Sequence, residues 1–393
     1  MEKMLSSICI LCMTITALLY LFKKSNQPNI IAYILTGIFL GPNVLGLLSL
    51  SKDVKEVGDI GVLLLMFFLG LELKVPDKSN LIKQPIYFQF SKTIIAIALS
   101  FCIGSILGYS SNEKLLIASF LMFNSTVIAS EYLKRDGNLH TNLGSCLLNI
   151  LLLQDILFTP FLLYVDIGNV SLRYLFKILM SIVGITIFLY VINRLRERKK
   201  NFLDAILPDM VNDHELQVFS GLLLCLGFAY LSSFSGLGHS TGSFLAGVIV
   251  GRSNSLTWLE KSLRPFEIFF VSLFFVSIGL QIDIHFLLNH LKIISFLSII
   301  FILCNFIFAV LFFCLNHLSL SKCIYNAALL SHCGELAIVA FSLGFQKKTI
   351  DYDFYMNGLC LVAISLLVSS YWIFILKYFL SKNKIPLNKL DLL

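Results

Sequence analysis

Apolar residues run along this chain in long unbroken blocks, without the 3.6-residue or two-residue periods of half-buried helices and strands. Most blocks are roughly 17–25 residues long, the length a helix needs to cross about 30 Å of hydrocarbon. A helix satisfies its own backbone polar groups where water is missing, and the short alternating segments of a closed barrel do not occur. The pattern therefore predicts an all-α polytopic membrane protein. About thirteen spans fit, at 4–22, 29–48, 57–73, 84–108, 114–134, 141–165, 171–193, 215–233, 238–251, 264–281, 290–315, 321–344 and 354–380. The ninth is short and rich in glycine, and reads as a broken or tilted element.

Composition sharpens this. With 57% hydrophobic and 13% charged residues among 393, and a mean hydropathy of +0.86, too little polar surface exists to cover a water-soluble core. The lipid bilayer is the expected partner. The first block lacks a small-residue cleavage pattern and is followed by Lys23 and Lys24, so it is expected to persist as a helix. A transmembrane domain over 1–381 leaves 382–393 as a short tail; no soluble regulatory domain is expected, and any regulatory subunit would be a separate chain. The ten cysteines fall in apolar segments, and Cys9 and Cys12, though spaced as CxxC, have no second ligand pair, so core packing is expected.

The net charge of +7 bears on orientation. With the N-terminus outside, about 20 basic residues fall in inward loops and about 9 in outward ones, which favours a cytoplasmic C-terminus in the cell's inner (plasma) membrane. The cluster Arg194, Arg196, Arg198, Lys199 and Lys200 reads as an orientation signal or an anionic-lipid contact, and no nucleic-acid partner is expected.

The two halves of the chain resemble each other. Gly37-Ile-Phe-Leu-Gly41 recurs as Gly247-Val-Ile-Val-Gly251, and the run Phe67 to Glu72 recurs approximately as Phe274 to Asp283, both at a spacing of roughly 210 residues. The same spacing carries the polar break Asn124-Ser125-Thr126 onto Ser331-His332-Cys333-Gly334-Glu335. Six spans (repeat one, about 1–165), a linker span (171–193) and six more (repeat two, about 215–380) would place the halves upside down relative to each other. Such two inverted repeats with crossed discontinuous helices are the plan of many secondary transporters.

Polar residues inside the blocks are the candidate chemistry. Gln154 and Asp155 lie deep in the sixth span, and a carboxylate at a helix centre costs about 2.5–3.5 kcal/mol to insert, so it persists where it meets a cavity, a partner or an ion path. A structural Asp bonded between helices is the alternative. If the fifth span unwinds at Asn124, its carbonyls with the Ser125 and Thr126 hydroxyls would suit a dehydrated Na⁺ or K⁺; otherwise those hydroxyls bond back to their own helix. Glu335 stands at the second break as a partner for half-helix ends. Lys92 either snorkels to the interface or pairs with Asp155, and Asn305, with Cys304, occupies roughly its repeat-related position. A zinc-protease reading fails, because His214-Glu215 is followed by Val218 where a second His is needed.

Leu35 to Pro42, Gly61 to Leu73, Asn124 to Ser130, Gln154-Asp155 with Pro160, Gly242 to Gly247, Arg264 to Phe266, Phe274 to Asp283 and Gly334 to Ala337 together resemble, in order, the membrane domain of Kef-type monovalent cation:proton antiporters. The resemblance implies a homodimer of thirteen-helix subunits, each with a scaffold and a moving bundle of crossed broken helices. It implies that Asp155 is the ion-binding aspartate, Gln154 the amide before it, Thr126 the threonine of the crossing and Glu335 the acid of the second broken helix. Three departures stand out: Cys304-Asn305 where the family usually has a lysine, no C-terminal nucleotide-binding domain, and His332-Cys333 where small residues are usual. The expectation is a transporter, not an enzyme. It needs no cofactor, and H⁺ and K⁺ or Na⁺ compete for Asp155 during alternating access. A channel or non-transporting sensor on the same fold is the alternative.

Overall fold

The computed structural model of the chain describes residues 2–24, 29–48, 60–64, 66–68, 70–71, 80–139, 141–165, 213–234, 239–251 and 257–382. Among them every regular element is a helix. In chain order these are α1 (Glu2–Lys24), α2 (Asn29–Leu40), α3 (Asn80–Ile106), α4 (Ser111–Met122), α5 (Thr126–Arg135), α6 (Asn142–Val165), α7 (His214–Phe234), α8 (His239–Val250), α9 (Thr257–Leu280), α10 (Ile284–Leu315), α11 (Leu320–Leu329), α12 (Glu335–Gln346) and α13 (Tyr352–Lys382). The described positions between 60 and 71 are helical as well. The expected linker span 171–193, the basic cluster at 194–200 and most of the tail lie outside the described residues.

Among the described residues, seven segments are long and apolar enough to cross a membrane, Ser111–Arg135 being one despite its break. Their outer faces are greasy: Leu288, Ile293, Phe296, Ile307 and Leu311 of α10 are all exposed, a surface that suits acyl chains and no aqueous solvent. The second block, expected to 48, is helical only to Leu40, where Gly41 and Pro42 open a turn. Cys9 and Cys12 are exposed on α1, contrary to the expected core packing. A one-sided apolar helix in lipid has no need to bury small thiols.

The chain forms two compact units, each drawing on both halves of the sequence. Unit 1 comprises 1–56, 87–137 and 272–393; unit 2 comprises 57–86 and 138–271. In unit 1, α10 packs on α11 and α13, and α12 on α4 and α13. Phenylalanines fill the space, with Phe120 stacked on Phe341 at 4.9 Å between centroids and Phe88 edge-on to Phe312 at 5.0 Å. Unit 2 packs Leu64, Phe67 and Phe68 against Cys225, Ala246 and Val250.

The glycines of the repeated motifs meet crosswise. A Cβ built on Gly37 would stand 2.8 Å from the Gly279 Cα, and one on Gly279 would stand 2.9 Å from the Gly37 Cα. In unit 2, a Cβ on Gly70 would lie 2.9 Å from the Gly247 Cα. Only glycine permits backbones this close. Each contact joins the first motif of one half to the second motif of the other, the pairing that an exchange of halves would generate.

Candidate functional site: the crossing of two broken helices

Both predicted polar breaks interrupt helix. Residues 123–125 separate α4 from α5, and 330–334 separate α11 from α12. Breaking a buried helix strands the last carbonyls of one half and the first amides of the other, which must find partners where no water helps. The partners here come largely from the other break and from amide side chains nearby, all within unit 1.

Asn124 joins the two breaks. Its Nδ2 donates to the Leu330 carbonyl at 3.0 Å and to the His332 carbonyl at 2.6 Å, while its Oδ1 accepts from Lys92 Nζ. The Gly334 amide donates to the Phe123 carbonyl at 2.9 Å, and His332 Nε2 lies 3.2 Å from the Ser125 carbonyl. A Cβ on Gly334 would sit 2.5 Å from the Asn124 carbonyl carbon, so the residue must be glycine for the segments to touch.

The carbonyl ends of α4 are met by amides from two neighbouring helices. Gln89 Nε2 of α3 donates to Met122 at 3.2 Å, and Asn305 Nδ2 of α10 donates to Phe120 at 3.2 Å. Lys92, one turn beyond Gln89, does not snorkel. It is only 3% exposed, its Nζ on Asn124 Oδ1 and 5.7 Å from the Phe88 ring centroid. A cation beside the negative ends of broken helices is favourably placed.

The amide ends carry the opposite charge. Glu335 is the first residue of α12, and its buried carboxylate faces the Ser125 hydroxyl and the Thr126 backbone amide at the start of α5. One acid thus serves two positive helix ends. Ser125 is the N-cap of α5, its Oγ accepting from the Ile128 amide at 3.3 Å while its hydroxyl faces Glu335. Thr126 is buried at the first position of α5.

The structure therefore brings together Lys92, Asn124, Ser125, Thr126, Asn305 and Glu335. Gln154 and Asp155 are buried on α6 and belong to unit 2. Sequence reasoning passed over Gln89, whose signal was an amide three positions before Lys92 in the same apolar span. It also passed over a cluster at the far end of α5. There Asp136 pairs with Lys377 and accepts from the Tyr325 hydroxyl at 2.7 Å. No group of three metal-ligating side chains occurs among the described residues.

A helical membrane chain with two interrupted helices whose ends are met by opposite charges now has a family match. The model of the sodium/hydrogen exchanger transmembrane family matches residues 10–377. The chain belongs to this family. Among curated exchangers and relatives, it is 24% identical over 383 residues to the Na(+)/H(+) antiporter of Enterococcus hirae, covering 95% of this chain and 97% of that protein. It is likewise 24% identical to the glutathione-regulated potassium-efflux system protein of Haemophilus influenzae, covering 93% of this chain but 59% of that longer protein. The fold matches the solved sodium proton antiporter MjNhaP1 from Methanocaldococcus jannaschii with a TM-score of 0.61 at 15% identity, covering 96% of this chain and 97% of that one. Sodium/hydrogen exchanger membership makes the chain a multi-span membrane transporter.

Proposed function

We propose that the chain exchanges a monovalent cation, K⁺ or Na⁺, for protons by alternating access, with cation and proton competing for Asp155. The observation that carries this reading is the crossing, where Lys92 lies on the carbonyl side of the breaks and Glu335 on the amide side. Balanced in this way, two broken helices can stay unwound inside the membrane. Family membership and the named activities of the relatives support the same reading.

In that scheme Asp155, buried in an apolar helix, holds one neutralising partner at a time, and the loaded carrier reorients. Gln154 stands beside Asp155 on α6; at the crossing, the unwound oxygens with Thr126 are cation ligands of their own, and Lys92 and Asn305 steady the broken ends. H⁺ and the cation are cargo, and no cofactor takes part. We further propose a homodimer in the inner membrane with its N-terminus outside and its C-terminus cytoplasmic, following the loop charges.

Asp155→Asn is expected to abolish cation-induced pH changes in everted vesicles, and retained exchange would refute the assignment. Competition also fixes a sign: lowering the pH should raise the apparent cation KM in the wild type while the maximal rate holds. A channel predicts saturable currents without proton exchange, which recordings on the same vesicles would reveal.

A further inference from the structure

His332 is fully buried at the crossing, and the transport scheme above gives it no part. Its Nε2 faces the Ser125 carbonyl at 3.2 Å. A carbonyl only accepts, so this nitrogen carries the proton and donates. Nδ1 is then an acceptor, and it meets no donor among the described residues. An apolar side chain of similar volume would avoid that desolvated nitrogen, so the ring's value here lies in what Nε2 does.

The bond has a distinct direction. Asn124 reaches from the first break to the carbonyls of the second, and Gly334 returns a backbone amide to Phe123. His332 is the side chain reaching from the second break to the first. Its acceptor, Ser125, is the N-cap of α5 and already receives the Ala129 amide at a long 3.3 Å. The imidazole is a rigid ring spanning from residue 332 to the start of the half-helix that bears Thr126.

From this geometry we infer that His332 is a specificity-determining residue, a strut that sets the spacing of 123–125 and 330–334 and hence the cation radius the crossing accepts. The inference rests on the proposed reading in which the unwound oxygens of the crossing ligate the transported ion. Discrimination among alkali cations depends on cavity dimensions and on how stiffly the ligands are held. A fixed spacing penalises ions of the wrong radius, and a loosened one adapts to them.

The test uses two amides of different reach. In His332→Gln the amide nitrogen stands about as far from the backbone as Nε2, whereas in His332→Asn it stops near the place of Nδ1 and falls short of Ser125. Exchange in proteoliposomes of the full chain is measured with Li⁺, Na⁺, K⁺ and Rb⁺ at one pH. The ratio of apparent KM between the poorest and best cation is expected to fall at least ~threefold in His332→Asn and to stay within ~twofold of wild type in His332→Gln. An unchanged ratio in His332→Asn overturns the strut, as does an equal loss in both variants. Should His332→Asn not accumulate in the membrane, His332→Ser, which also lacks the reach, replaces it. Asp155→Asn separates the two levels of argument: exchange persisting there sinks the antiport reading, whereas silence there with wild-type discrimination in His332→Asn sinks the strut alone.

Discussion

The two breaks occupy corresponding places in the two halves but are built differently. The first, 123–125, is held by side chains: Asn124 gives and takes three hydrogen bonds, Ser125 caps α5, and Gln89 and Asn305 complete the carbonyls of α4. The second, 330–334, is mostly backbone: it offers carbonyls to Asn124 and an amide to Phe123, and its N-cap, Gly334, makes no side-chain cap bond. Two breaks that lie against each other thus play unequal roles. The first break makes most of the side-chain bonds, and the second contributes thin backbone and the one ring of His332.

The sharpest way to break that comparison is Asn124→Leu, which leaves the buried Lys92 ammonium and two carbonyls without their partner. A loss of about 3–5 kcal/mol is expected, the penalty of an uncompensated buried charge. Thermal unfolding in detergent should show a large drop, with no exchange in vesicles. Lys92→Met combined with Asn124→Leu should recover part of that stability but not transport, because removing both partners of a buried pair costs less than removing one.

Gly334→Ala tests the thin side. Its new Cβ would press on the Asn124 backbone, and about 1–3 kcal/mol of destabilisation is expected from overpacking. Exchange should fall even at temperatures where the fold survives, since the two breaks are forced apart. Ser125→Ala is the mildest. Loss of the N-cap bond costs about 1 kcal/mol, and loss of the hydroxyl facing the buried Glu335 carboxylate adds to it, so a modest decrease in melting temperature with near-normal exchange is expected. If Ser125→Ala abolished exchange while remaining folded, its hydroxyl would have a role beyond capping.

The sequence was most informative where the membrane penalises exceptions. Apolar blocks had to be helices, and Asn124 or Glu335 within a block had to mark something unusual. Both breaks were legible for this reason. What each polar residue would touch was not, because the partners are set by packing between distant segments. Lys92 had two readings from sequence, the interface or Asp155, and its hydrogen-bond acceptor is Asn124. Ser125 had two readings from sequence, an ion ligand or a back-bonded hydroxyl, and its role as the cap of α5 came into view only with the backbone turn at 123–125. Asp136, Tyr325 and Lys377 lie near helix ends, where charge is cheap, so nothing in the pattern distinguished their cluster from ordinary loop polarity.

The crosswise glycine contacts have a consequence for how such a chain can vary. At Gly37 against Gly279, and at Gly70 against Gly247, the separation of two helices is set by main chain alone. Enlarging one member has to be answered by movement of its mate, which lies in the opposite half of the polypeptide. At these waists, as where Gly334 meets Asn124, each half keeps the other from changing. A half expressed by itself would have to find its counterpart in the bilayer before either glycine surface had anything to rest upon.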